Sequence, residues 1–141
     1  MKSLADFQRL IPNTALEPLG AVVVSVDEKG LTLRIPITAA ALQPFGLLHG
    51  GISLLLAESA ASMQSAWDIN PEEVIPVGIE INANHVRSIS RGSVTACAQP
   101  VYVGRRLSIW AIEIKDDRGR LVSTARCTMM HKPGRALPAA D

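Results

Sequence analysis

Hydrophobic and polar residues alternate along most of the chain, and this alternation predicts strands. Leu31, Leu33 and Ile35 alternate with polar or small residues after the turn at 28–30, and the Val-rich run 21–27 precedes that turn. Successive side chains of a strand point to opposite faces, so this segment predicts a β-hairpin with one buried face. Similar alternation or strand-forming residues predict four further strands, at 77–84, 92–103, 105–115 and 120–131.

One long segment follows a different pattern. Residues 50–67 contain no proline and are rich in Leu and Ala, which are strong helix formers. The predicted helix is apolar on nearly all sides, so it must be enclosed by other elements. Ser3 is placed to cap a short helix at 3–10, and the tail after Pro133 is predicted to be loose.

The predicted order of elements is a short helix, two strands, a long helix and four strands. Sequential hairpins predict an antiparallel sheet, so the fold class is α+β. A flat sheet cannot cover a helix that is apolar on most sides. We therefore expect the sheet to curl around the helix and a second copy of the chain to cover the rest. At 141 residues the chain has the length of one domain.

Composition and charge narrow the classes of partner. Fourteen Lys and Arg against thirteen Asp and Glu give a net charge of +1, which provides no general attraction to nucleic acid or to an anionic membrane. The two cysteines are not clustered and the N-terminus shows no apolar leader, which predicts a reduced, cytoplasmic protein. Polar residues interrupt the apolar run 45–67, so we expect no membrane span.

Glu58 lies inside the predicted helix among Leu and Ala, where an unpaired carboxylate costs free energy. It follows Gly51 by seven residues and Gly50 by eight, so it is expected to face the same way as the helix start, and Ser62 at i+4 shares that face. A solvated or paired carboxylate at a subunit boundary is the alternative. A carboxylate buried in apolar surroundings indicates instead a nucleophile or a general base.

The start of the helix offers groups that complement a carboxylate. The N–H groups of Gly50 and Gly51 lie at the positive end of the helix dipole and suit a developing oxyanion, although a Gly pair also permits a tight entry into a helix. His49 would orient a carbonyl or cap the helix, and Gln43 supplies an amide. This set fits acyl transfer to water.

Two other chemistries fit the sequence less well. Cys127 and His131 are four residues apart on a predicted strand, a separation of about 13 Å that is too long for a nucleophile and its base. The three histidines do not form a ligand-spaced cluster with Cys or Asp, so no metal is predicted.

The stretch Gln43-Pro-Phe-Gly-Leu-Leu-His-Gly-Gly, followed by Leu-Ala-Glu-Ser at 56–59 and by Ser62, resembles the hotdog-fold acyl-CoA thioesterases of the phenylacetate-pathway and hydroxybenzoyl-CoA type. It is most similar to the branch that hydrolyses dihydroxynaphthoyl-CoA in menaquinone synthesis and aryl carrier-protein thioesters in enterobactin synthesis. The resemblance extends through 76–87, 104–106 and the final strands. It implies a sheet wrapped around the long helix, a homodimer that usually forms a homotetramer, and no cofactor beyond the CoA of the substrate.

The resemblance also implies roles for individual residues. Glu58 would attack the thioester or activate water, and Ser62 would place the water or the acyl group. Gln43 and the Gly50 N–H would hold the thioester carbonyl oxygen, with His49 assisting in its orientation. The site would lie between subunits, so that Glu58 of one chain acts with Gln43 and Gly50 of its partner.

A second group of residues is assigned to substrate and CoA binding. Arg pairs with phosphate in a bidentate manner, and CoA carries phosphates at its nucleotide end, although a solvated edge and loop is the alternative for these charges. The group comprises Gly51, Val77, Gly78, His85, Arg87, Gly104, Arg105 and Arg106.

The predicted function is hydrolysis of acyl-CoA, or of an acyl group on a phosphopantetheine carrier, with aryl or compact acyl groups preferred by analogy. Two alternatives share the fold. One is a module that binds or senses acyl-CoA without consuming it, and the other is a hotdog hydratase or dehydratase.

Overall fold

The computed structural model describes residues 2–67 and 69–134. Its elements are α1 (Leu4–Gln8), β1 (Val22–Asp27), β2 (Gly30–Pro36), a 3₁₀ turn (Ala39–Ala41), α2 (Gly50–Ser65), β3 (Val74–His85), β4 (Ser93–Val103), β5 (Leu107–Asp116) and β6 (Leu121–Pro133). Ser3 caps α1, because its hydroxyl accepts the Asp6 N–H at 3.2 Å. Apart from Gly134, the predicted tail lies outside the described residues.

The six strands form one antiparallel sheet in the order β1-β2-β4-β5-β6-β3. Helix α2 packs against β2, β3, β4, β5 and β6. The sheet therefore covers one side of α2 with five of its strands. This agrees with the prediction that other elements enclose the apolar helix. Among the described residues, no helix is long and apolar enough to cross a membrane.

The core lies between α2 and the concave face of the sheet. Leu31, Leu33 and Ile35 of β2 are fully buried, which confirms the face predicted from their alternation. Burial of one such side chain contributes about 1.5–3 kcal/mol. The helix meets this face with Leu56 and three alanines, and the small alanine side chains let the sheet approach closely.

Strand β3 departs from the predicted pattern in two ways. It begins at Val74, before Pro76, and proline is tolerated there because β3 is an edge strand. Its pairing with β6 shifts between Gly78 and Glu80, which marks a β-bulge. The bulge turns Ile79 outward, so this side chain is 50% exposed although strict alternation would place it beside Ile81.

Candidate active site

Glu58 lines a cavity of about 570 Å³ between α2, the N-terminal segment 10–16 and the floor formed by Gly78 and Met129. We call it the Glu58 cavity. Gly51 and Ser62 line the same cavity, which confirms that they share a helix face with Glu58. The remaining helix residues on its wall are Leu54, Leu55, Ser59 and Met63.

The glycine at position 78 makes room for the Glu58 carboxylate. A Cβ atom at Gly78 would lie 3.0 Å from Glu58 Cδ and closer still to Oε1. Such an approach is shorter than carbon atoms normally allow. The β-bulge that begins at Gly78 thus places bare backbone against the acid. Glu58 itself is half-buried in the single chain.

Gln43 and Gly50 lie together in a second cavity, of about 320 Å³, which we call the Gln43 cavity. Gln43 Oε1 accepts the N–H of Phe45, so Nε2 is the end of the amide left to donate. Within the described residues, neither Gln43 Nε2 nor the Gly50 N–H has a hydrogen-bond partner. The cavity therefore contains two donors that suit a carbonyl oxygen as it gains negative charge.

The structure separates the two groups that the sequence placed on one face. Glu58 and Gly50 line different cavities of the same chain. At 100° per residue, eight residues leave Gly50 about 80° away from Glu58, whereas seven residues leave Gly51 only about 20° away. The prediction that Gly50 faces the same way as Glu58 within one chain is therefore wrong.

His49 is the N-cap of α2. Its Nδ1 accepts the Gly51 N–H at 2.8 Å, and its side chain is exposed. This geometry favours the capping role among the two that the sequence left open. It also removes the Gly51 N–H from the predicted pair of free donors, so Gly50 alone offers one.

His85 and Arg87 line the Gln43 cavity. His85 Nδ1 lies 3.1 Å from the Ser123 hydroxyl, and its ring stands against Gly50, where an added Cβ would lie 2.7 Å from Nε2. Of the Arg87 guanidinium, only Nε donates to another described residue, to the Leu121 carbonyl at 3.3 Å. Its terminal nitrogens remain available to a ligand in this cavity.

Four of the predicted binding residues lie elsewhere. Val77 pairs with Met130 on β6, and Gly104, Arg105 and Arg106 form the neighbouring turn between β4 and β5. His85 pairs with Ser123, seven positions back along β6. At about 3.3 Å per residue the two ends of the sheet are roughly 23 Å apart. One chain therefore does not bring this turn together with Arg87.

The contribution of the N-terminal segment to the Glu58 cavity was not predicted. Leu10, Thr14, Ala15 and Leu16 line it. The Thr14 hydroxyl holds the segment in a turn by donating to the Ile11 carbonyl at 2.6 Å and accepting the Leu16 N–H at 3.2 Å. Pro12 and Asn13 signal a turn in the sequence, but nothing in their pattern identifies α2 as its neighbour.

The Cys127 thiol is not placed for nucleophilic chemistry. Burial raises the pKa of Cys127 to about 12, and its Sγ contacts the Met129 sulfur at 3.4 Å. A protonated, buried thiol is inert. Among the described residues, no group of three or more His, Cys, Asp or Glu side chains is placed to hold a metal ion.

Residues 45–123 match the model of the family described as the thioesterase superfamily. The chain therefore belongs to this superfamily, its fold is the predicted hotdog fold, and the expectation of a thioester-hydrolysing enzyme is confirmed. A crystal structure of a mutant of the thioesterase PA1618 from Pseudomonas aeruginosa superposes with a TM-score of 0.89 at 36% identity, covering 94% of this chain and 96% of that one.

Two relatives have names that specify a substrate. The 1,4-dihydroxy-2-naphthoyl-CoA hydrolase of Listeria monocytogenes is 41% identical over 119 residues, covering 84% of this chain and 96% of the relative. The protein with the same name from Escherichia coli is 43% identical over 103 residues, covering 73% of this chain and 75% of the relative.

Proposed function

We propose that this chain hydrolyses acyl-CoA thioesters to a free acid and CoA, with Glu58 as the catalytic carboxylate. The observation that carries the proposal is the position of Glu58 on the wall of a cavity of about 570 Å³, a volume typical of small-molecule sites. The two relatives named 1,4-dihydroxy-2-naphthoyl-CoA hydrolase support a CoA thioester with an aryl acyl group.

The proposed site is shared between two copies of the chain. The candidate oxyanion donors and the carboxylate occupy different cavities of one chain. Strand β3 is the edge of the sheet next to Glu58, and no strand of the described residues pairs with its outer side. An unpaired edge of this kind is a template for a second strand. In the proposed dimer, Gln43 and Gly50 of the partner face Glu58, and a further pairing into a tetramer stays a prediction.

Two chemical routes fit these groups. In the first, a Glu58 oxygen attacks the thioester carbonyl, the thiolate of CoA leaves, and water hydrolyses the resulting anhydride to release the acid and restore Glu58. In the second, Glu58 takes a proton from water, and the hydroxide adds to the carbonyl and expels the thiolate. In both, Gln43 Nε2 and the Gly50 N–H stabilise the oxyanion. Ser62, one turn after Glu58, would place the water or the acyl group.

The walls of the Glu58 cavity support the proposal of a compact acyl group. Leu54, Leu55 and Met63 provide apolar surface, and the Thr14 and Ser59 hydroxyls provide polar contacts. Apolar pockets discriminate a methylene by only about 1–3 kcal/mol, so we expect several aryl and short acyl groups to be accepted. A carrier protein as the thiol carrier and a cytoplasmic location stay predictions.

The test is thiol release from a panel of aryl, short-chain and long-chain acyl-CoAs. Glu58→Gln should lower the rate by about 10²–10⁴-fold, while the thermal midpoint stays near that of the wild type, because only the charge of the acid is removed. Glu113→Gln is the matched control, since Glu113 is exposed and paired with Lys115 on β5. Full activity in Glu58→Gln would sink the proposal.

A mixing experiment tests the shared site. Gln43→Ala and Glu58→Gln should each be nearly inactive as pure proteins. In statistically mixed dimers, half of the molecules combine the two variants and regain one intact site, so activity should return to about a quarter of the wild-type value. Mixed dimers without any recovered activity would show that the site does not combine these residues across chains.

A further inference from the structure

A third cavity, of about 490 Å³, lies between the loop 88–92 and the turn that joins β5 to β6. Its walls are polar and include Arg91, Arg118 and Arg120, so we call it the arginine cavity. It shares Ser88 with the Gln43 cavity. The two cavities are therefore neighbours on the surface of the chain.

The two carboxylates in the arginine cavity are already bound. Asp116 is buried, and it accepts hydrogen bonds from the Arg120 guanidinium at 2.8 Å and from the backbone N–H groups of Arg118 and Arg120. Asp117 accepts one bond from Arg34 at 3.2 Å and one from the Ser93 N–H at 2.8 Å. All four carboxylate oxygens thus have donors, and the two carboxylates neutralise Arg120 and the neighbouring Arg34.

Two guanidinium groups remain unneutralised. Within residues 2–67 and 69–134, the side chains of Arg91 and Arg118 have no hydrogen-bond or ion-pair partner. Arg87, in the adjoining Gln43 cavity, keeps its terminal nitrogens free. The chain as a whole carries a net charge of only +1. The unneutralised positive charge is therefore local. Arg87, which carries part of it, lies in the same cavity as the candidate oxyanion donors.

We propose that Arg91 and Arg118 bind the 3′-phosphate of the CoA nucleotide, while Arg87 contacts the pyrophosphate on the way. This inference rests on the proposed function, because it takes the acyl carbonyl to lie at Gln43 and Gly50. Arginine binds phosphate oxygens in a bidentate manner. The Ser88 and Ser90 hydroxyls on the same wall can serve as further donors. A concave site suits a nucleotide better than it suits the surface of a carrier protein.

In this proposal, the CoA nucleotide binds to the same chain that supplies Gln43. It differs from the expectation for Arg105 and Arg106, which lie at the opposite end of the sheet in that chain. Their predicted contact with CoA would have to come from the partner.

The experiment compares benzoyl-CoA with benzoyl-3′-dephospho-CoA. In the wild type, loss of the 3′-phosphate should raise KM about tenfold or more with little change in kcat, because a charge-assisted contact is lost in ground state and transition state alike. Arg91→Ala and Arg118→Ala should raise KM about tenfold for benzoyl-CoA and leave KM for benzoyl-3′-dephospho-CoA unchanged. Arg126→Ala is the control, since Arg126 is exposed on β6 and outside all of the cavities described.

Binding of adenosine 3′,5′-bisphosphate, followed by calorimetry, tests the inference without turnover. Weaker binding of the bisphosphate in Arg91→Ala and Arg118→Ala than in Arg126→Ala supports the inference. This result would count even if the wild type released no thiol and the proposed hydrolysis failed. Equal KM values for the two thioesters in the wild type would overturn it. The inference would also be overturned if Arg91→Ala and Arg118→Ala lost activity with an acyl carrier protein but bound the bisphosphate as tightly as the wild type.

Discussion

Replacement of Gly78 by Ala tests whether the position of the Glu58 carboxylate sets the rate. The added Cβ would lie 3.0 Å from Glu58 Cδ, whereas carbon atoms pack at about 3.5–4.0 Å. The carboxyl carbon must therefore withdraw by about 0.5–1 Å. A displacement of about 1 Å at a reacting group can cost on the order of 100-fold in rate, or about 2.7 kcal/mol of activation free energy.

The assay is thiol release from benzoyl-CoA at saturating substrate, together with thermal unfolding. Gly78→Ala should lower kcat by about 100-fold and leave the thermal midpoint close to that of the wild type, since Ala is not a worse strand residue than Gly. Gly119→Ala is the control. Gly119 has φ 74° and no atom within 4 Å of an added Cβ, so this variant should lose stability but keep kcat.

Glu58→Gln supplies a second check on the reasoning. If Gly78→Ala acts by displacing the acid, it should have little further effect once Glu58 is replaced by Gln, because the two changes are not additive. A Gly78→Ala enzyme with the wild-type kcat and KM would refute the argument that this contact holds the carboxylate in place.

Three further predictions concern stability and reactivity. Ser108→Ala should lower the free energy of unfolding in urea by about 1–3 kcal/mol, because the buried Trp110 indole N–H loses its acceptor at 2.9 Å; no loss would show that the indole finds another. Cys127 should resist iodoacetamide at pH 8 in the native state, given its raised pKa, and labelling without unfolding would contradict its burial. Burial raises the pKa of Asp116, but the hydrogen bonds from Arg120 and from the Arg118 N–H, together with the Arg120 charge, outweigh this effect, and the net pKa is lowered. A carboxyl of this kind stabilises the fold above its unfolded pKa of about 3.9 and loses that effect as the pH falls through its folded value. Asp116→Asn should therefore cost more urea stability at pH 7 than at pH 3, and an equal cost at both would refute the assignment.

The fold was predictable because alternation is a local property of the chain. Leu31, Leu33 and Ile35 point to one face by strand geometry alone, and they do so in the structure. The bulge in β3 was not predictable in this way. It depends on how β3 pairs with β6, far along the chain, so the outward turn of Ile79 could not be derived from residues 74–85.

The candidate site was predictable only where one helix determines it. Gly51, Glu58 and Ser62 share a face because the helical repeat places them there. The approach of Gly78 to Glu58 and the grouping of Arg91 with Arg118 arise when distant segments meet in the sheet. Such contacts have no periodicity in the sequence, and chemical identity alone did not distinguish Arg91 from Arg105.

The separation of Glu58 from the Gln43 cavity has a consequence for dilution. In a lone chain, Glu58 and the donors Gln43 and Gly50 lie in separate cavities, so neither cavity contains a complete set of catalytic groups. Turnover per chain then follows the mass action of association. Specific activity should fall as the protein is diluted below the dissociation constant of the dimer, and it should recover on concentration.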